Sequence, residues 1–157
     1  MKLAEALILR ADTHKRLLQL RERLVRNARV QEGDTPAEAP EMLLNEYRRG
    51  LGEFTELVQR INRTNSATSM SDGDTMTDAL ARRDALRNER AMLDAVIERA
   101  SSLTADWRYG RSEIKFLPTV SVADLQQQAD DISRRLRELD VVIQQMNWQV
   151  DLIDEIS

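Results

Sequence analysis

The stretch 121-SVADLQQQADDISRRLRELDVVIQQMNWQVDLI-153 decides the class of this chain. Leu125, Ala129, Ile132, Leu136, Leu139, Ile143, Met146, Val150 and Ile153 recur at alternating four- and three-residue steps. That spacing places one apolar side chain on the same helix face at every turn, an a/d heptad seam. Ser121 and Asp124 stand in the S-x-x-acid pattern that caps a helix start. Asp130 with Arg134, and Asp131 with Arg135, set acid four residues before base, the favourable order for pairing on the outer face. The spacing predicts a helix over 122–155.

Working back along the chain, the same period returns three times. Leu3, Leu7, Leu17, Leu24 and Ala28 predict a helix over 2–29, with Arg23, Arg26 and Arg29 near its end, where cations suit the helix dipole. Leu44, Tyr47, Leu51, Phe54, Val58 and Ile61 predict another over 41–65, with Glu56 and Arg60 as an outer pair. Leu80, Arg83, Leu86, Arg90, Leu93, Ile97 and Ala100 predict a third over 78–105, whose seam carries two arginines. Two segments interrupt the period. Residues 66–76 contain Asp72-Gly73, a two-residue hairpin signal, with Thr68–Met70 and Thr75–Thr77 as short arms. Residues 112–120 contain Ile114, Phe116 and Val120, an edge strand limited by Pro118. The expected fold is all-α: four long helices in an antiparallel coiled-coil-like bundle, a single domain over 1–157 with a small β excursion between helices.

Composition excludes more than it names. Five Gly, three Pro and 4% aromatic residues in 157 do not suit a turn-rich all-β fold. The chain has no Cys, so a disulfide framework, a thiolate zinc site and a cysteine nucleophile are all excluded. One His leaves no imidazole pair for a metal. No metal and no cofactor is expected. The first apolar run, Ala6–Leu9, falls short of the roughly 7–15 residues of a secretory core and the about 20 of a membrane span. A cytoplasmic protein without a membrane partner is expected.

The formal charge of −4 is unevenly spread. Residues 1–30 carry a net +5, residues 31–47 a net −5 and residues 101–157 a net −4. Twenty of the 23 basic residues are Arg, which suits planar ion pairs at packed helix surfaces. Opposite-signed segments of one chain are expected to pair with each other before they recruit a foreign polyion.

No catalytic constellation emerges. The glycines form no phosphate-binding loop, and no nucleophile elbow or dinucleotide fingerprint is present. Asp72, Asp74 and Asp78 lack the closing Glu of a calcium loop and are assigned to turn and cap roles. His14 falls on the stripe of the first helix with no partner at ligand spacing, and is read as a hydrogen-bonded seam or interface residue. Two polar stretches stand out. One is 60-RINRTN-65, which offers Arg63 and Asn65. The other is 107-WRYGRSEIK-115, in which Trp107, Arg108, Tyr109, Arg111, Glu113 and Lys115 interleave cations with rings. That second pattern could stack on single-stranded nucleic acid, but an acidic chain whose second and fourth helices lack a basic stripe argues against it. Trp107, Tyr109, Phe116 and Trp148 are the aromatics expected to remain for a contact between subunits.

ALILRAD at 6–12, RINRTN at 60–65, DGDTMTDALARRD at 72–84, RYGRSEIK at 108–115 and NW at 147–148 together resemble the septicolysin-like family of bacterial helical proteins. The resemblance covers nearly the whole chain. It implies a helical protein that self-assembles as a hexamer, and it supplies no catalytic residues. A lytic activity does not follow from the name: the chain is acidic, has two Phe and no strongly apolar face to insert. The leading expectation is a non-enzymatic, self-associating structural or interaction module, at least a dimer. The alternative is a nucleic-acid-binding module using the loop at 108–115, with an enzyme or cytolysin third.

Overall fold

The computed structural model describes residues 1–102 and 116–154. Four helices account for about three-quarters of them: α1 (Leu3–Arg26), α2 (Pro40–Ala67), α3 (Met76–Ser101) and α4 (Val122–Gln149). The chain is all-α, and among the described residues no strand forms. The longest helices, at 28 residues, extend about 42 Å. The chain divides into two compact units, residues 1–77 with 144–157 and residues 78–143.

In the first unit α1 and α2 run antiparallel. Arg23 meets Glu38, Arg16 meets Glu46, and Leu3 packs with Ile61, so partner numbers rise on one helix as they fall on the other. The core here is Leu3, Ala6, Leu57, Ile61 and Leu152, with Leu7 against it. Each of the Leu and Ile side chains removed from water here contributes about 1.5–3 kcal/mol. The helices also approach closely at Gly50, where a Cβ would stand 3.2 Å from the Leu17 Cδ2.

The acidic loop between these helices is folded by Asn27. Its Nδ2 donates to the Arg23 carbonyl (2.9 Å) and its Oδ1 accepts from the Glu38 N–H (3.1 Å). Pro40 then opens α2 at the first helical position, where its missing N–H costs nothing. The expected pairing of opposite-signed segments occurs here: Arg23 grips Glu38 with two nitrogens, and Arg16 Nη2 reaches Glu46 at 2.7 Å.

The hairpin expected over 66–76 is not formed. α2 runs on to Ala67 and α3 already begins at Met76, so eight residues remain, enough for one turn and one bridge, Ser69 with Thr75. The Asp72-Gly73 signal does mark the turn: Gly73 has φ +90°, and Met70 N–H donates to Asp74 O at 2.7 Å. The strand expected over 112–120 is also corrected where it is described. Phe116–Val120 is irregular, and Pro118 offers no N–H to a ladder. Residues 112–115 lie outside the described residues.

α4 begins where the capping pattern places it, with the Asp124 N–H donating to Ser121 Oγ at 3.3 Å. It stops at Gln149, short of the expected 155. Val150 and Ile153 leave the helix because residues 150–154 bond to the start of α1 and the end of α2 instead. Leu3 N–H donates to Val150 O (2.9 Å) and Leu152 N–H to Met1 O (2.8 Å), which sets Lys2 opposite Asp151 in an antiparallel bridge.

In the second unit, Leu86 and Leu93 of α3 pack with Ala129 and Ile132 of α4, flanked by Ile97, Leu125, Leu136 and Leu139. Arg90 crosses to α4, bonding the Ala129 carbonyl at 3.2 Å and Ser133 Oγ. On the outer face Arg134 pairs with Asp131 (3.0 Å), three residues apart, in place of the expected Asp130.

Candidate functional site

The described residues among those singled out in the sequence do not converge. His14 is exposed on α1, its ring 5.8 Å from that of Phe54 on α2 and tilted by 35°. Arg63 is exposed and Asn65 half-buried on the last turns of α2. Trp148 is 56% exposed on the last turn of α4, and Phe116 is 70% exposed. Trp107, Arg108, Tyr109, Arg111, Glu113 and Lys115 lie outside the described residues.

The polar stretch 60–65 does carry an arrangement, through different members. Thr64, wholly buried, donates through Oγ1 to the Arg60 carbonyl (2.8 Å) and accepts from the Ile153 N–H (3.0 Å). Arg60 donates through Nε to the Ile153 carbonyl (3.2 Å) and pairs with Asp154. It therefore turns away from the expected Glu56. Arg60 and Thr64 are one helical turn apart and share a face, whereas Arg63 and Asn65 flank it. The i,i+4 spacing was the signal that separates the two sets.

Among the described residues, both units carry concavities. In the first unit a cleft of about 730 Å³ is lined by Arg23, Glu38, Met42, Asn45, Glu46 and Arg49 among others. Its charges are balanced. The hydrogen bond from Arg23 holds the Glu38 carboxyl below its ordinary value and raises the Arg23 guanidinium in return, and the hydrogen bond from Arg16 holds the Glu46 carboxyl below its ordinary value. The opposite-signed segments are legible in the sequence, whereas the cleft depends on how Asn27 folds the loop between them. In the second unit a groove of about 510 Å³ lies between the end of α3, from Ala95 to Ala100, and Phe116–Val120. Its outer wall is apolar and open to water: Phe116 is 70%, Leu117 79% and Val120 39% exposed.

Among the described residues, no group of three or more His, Asp or Glu is placed to hold a metal. Among them too, no helix is long and apolar enough to cross a membrane.

Comparison with known proteins gives this geometry a family and no activity. No curated protein matches the chain. The crystal structure of a functionally unknown conserved protein from Corynebacterium diphtheriae is similar at 42% identity, over 98% of this chain and 99% of that one, with a TM-score of 0.89. The model of a family of unknown function, DUF6847, matches residues 10–152, and the chain belongs to that family.

Proposed function

We propose that this chain is a non-enzymatic, self-associating helical protein of the cytoplasm, a structural or protein-interaction module that is at least a dimer. The observation that carries the reading is the apolar wall Phe116-Leu117-Val120, which stands in water beside a groove and would lose that exposure in a contact between subunits. Trp148 on α4 offers a second exposed aromatic anchor of the kind that dominates interface energies. The septicolysin-like resemblance of the polar segments agrees with assembly, and a hexamer is the form it implies.

Light scattering on the purified protein tests the reading. A mass of at least twice 18.0 kDa at micromolar concentration is expected, and a mass of 18.0 kDa would defeat it. The Phe116→Asp/Leu117→Asp double variant should lower the mass of the assembly while its circular dichroism stays that of the parent, because both side chains are already exposed. An unchanged mass removes this wall from the interface.

A further inference from the structure

The α1–α2 pair has two unlike sides. On one, Arg16 meets Glu46 and Arg23 meets Glu38. His14 stands two residues before Arg16, about 200° round the helix, and its ring meets Phe54 on the other side. Side chains three, four or seven residues apart share a helix face, so that second side also carries Ala11, Leu18 and Val25 of α1 with Tyr47 and Leu51 of α2. Leu18 is 46%, Val25 65% and Leu51 42% exposed, while Tyr47 and Phe54 are half-buried. Of the α2 heptad seam only Ile61 is buried, because α1 packs on Gly50, Leu57 and Ile61. The rest of the seam is left over.

We infer that this side of the helix pair is an interface for a second copy of the chain, the two pairs stacking about a twofold axis into a four-helix bundle. The inference rests on the self-association proposed above and adds a contact distinct from the Phe116-Leu117-Val120 wall. Charge and register point to a second copy. Lys15 and Glu22 are exposed, and among the described residues neither has an ion pair. Lys15 stands three residues before Leu18 and Glu22 four after it, at the border of the face. A copy of α1 laid antiparallel about this point therefore sets each Lys15 against the Glu22 of the other copy. The same axis serves α2. Leu17 lies beside Gly50, so the middle of the Lys15–Glu22 interval falls level with Arg49. Antiparallel copies of α2 centred at that level pair Leu44 with Phe54 and Tyr47 with Leu51. His14 and Arg21 are polar members of the α1 seam, of the kind that selects one register. The area suffices: along residues 8–26 the face is roughly 28 Å by 20 Å. Two copies bring together on the order of 1,100 Å², which clears the about 1,000 Å² expected of a specific interface.

Light scattering in the Phe116→Asp/Leu117→Asp background isolates this face, since the wall is then removed. A dimer of twice 18.0 kDa is expected. A monomer there, beside a multimeric parent, overturns the inference and leaves self-association through the wall; a parent mass of 18.0 kDa overturns both. Adding Leu51→Glu should give a monomer with unchanged circular dichroism, because Leu51 is already exposed, and a dimer that persists overturns the inference. Charge reversal tests the register. In the same background at low salt, Lys15→Glu and Glu22→Lys each set like charges together twice and should weaken the dimer roughly tenfold. Mixing the two variants should recover the affinity as a heterodimer, because opposite charges then meet at both contacts. A mixture no tighter than either variant alone overturns the antiparallel pairing.

Discussion

The two units close similar helix pairs by different means. Between α1 and α2 the seam is aliphatic, and charges lie outside it as tight pairs: Arg16 with Glu46, and Arg23 with Glu38. Between α3 and α4 the seam admits arginine. Arg83, with 21% of its side chain exposed, lies 4.0 Å from Asp140 and 3.5 Å from Asp84, and its Nε is buried without a hydrogen-bond partner among the described residues. The first unit also receives the strap 150–154, which brings an apolar anchor and backbone bonds from a remote part of the chain. The contrast teaches that one heptad pattern supports two energetic regimes. Where Leu and Ile fill the seam, burial supplies the stability; where Arg does, desolvation offsets much of what the ion pair returns.

The comparison breaks most visibly in the aliphatic core. Ile61, 1% exposed, touches both α1 and the strap, so Ile61→Ala should cost about 2–5 kcal/mol, read as a lower urea midpoint by circular dichroism. A loss no greater than that of an exposed control such as Val141→Ala would mean that the first unit is not held by this cluster.

In the second unit the sign should reverse. Arg87 lies 3.7 Å from Asp84 and 3.8 Å from Asp140, so Arg83→Met leaves both carboxylates a cation while filling the seam with apolar volume. A gain of about 1 kcal/mol is expected. A clear loss in the urea midpoint would show that Arg83 stabilises the helix pair through its charge.

The smallest effect is electrostatic and belongs to the first unit. Glu38, Glu46 and Asp151 are held below their ordinary values by hydrogen bonds from Arg23, Arg16 and Lys2. A depressed folded value means that the contribution is present above the ordinary carboxylate range, about pH 4, and is lost as pH falls through the depressed values. Stability should therefore decline on acidification below about pH 4. Added salt should reduce the decline, since these groups are exposed. The Glu38→Gln variant should show a shallower decline than the parent between pH 5 and pH 2, values that bracket the about pH 4 transition; identical profiles would mean that the Arg23 pair contributes nothing.

Much of the fold was legible in residue spacing. The α4 seam as far as Met146, the Ser121 cap and the Asp72-Gly73 turn all appear where local pattern places them, because each depends on residues within a turn or two of one another. The contact arrangement was less legible. Arg63 and Asn65 attract notice by composition, yet Arg60 and Thr64 do the bonding, since their helical face meets a segment some ninety residues away.

By itself the sequence determined an all-α chain of four helices, their approximate limits, and a pairing of basic and acidic segments. These follow from a 3.6-residue period and from charge, both local or additive properties. Only the tertiary structure decided that α4 stops at Gln149. A heptad pattern continues through Ile153, and nothing local ends it. The helix gives way because Leu152 gains a buried seat and Val150, Leu152 and Ile153 gain backbone partners on α1 and α2, which together outweigh one more turn of helix.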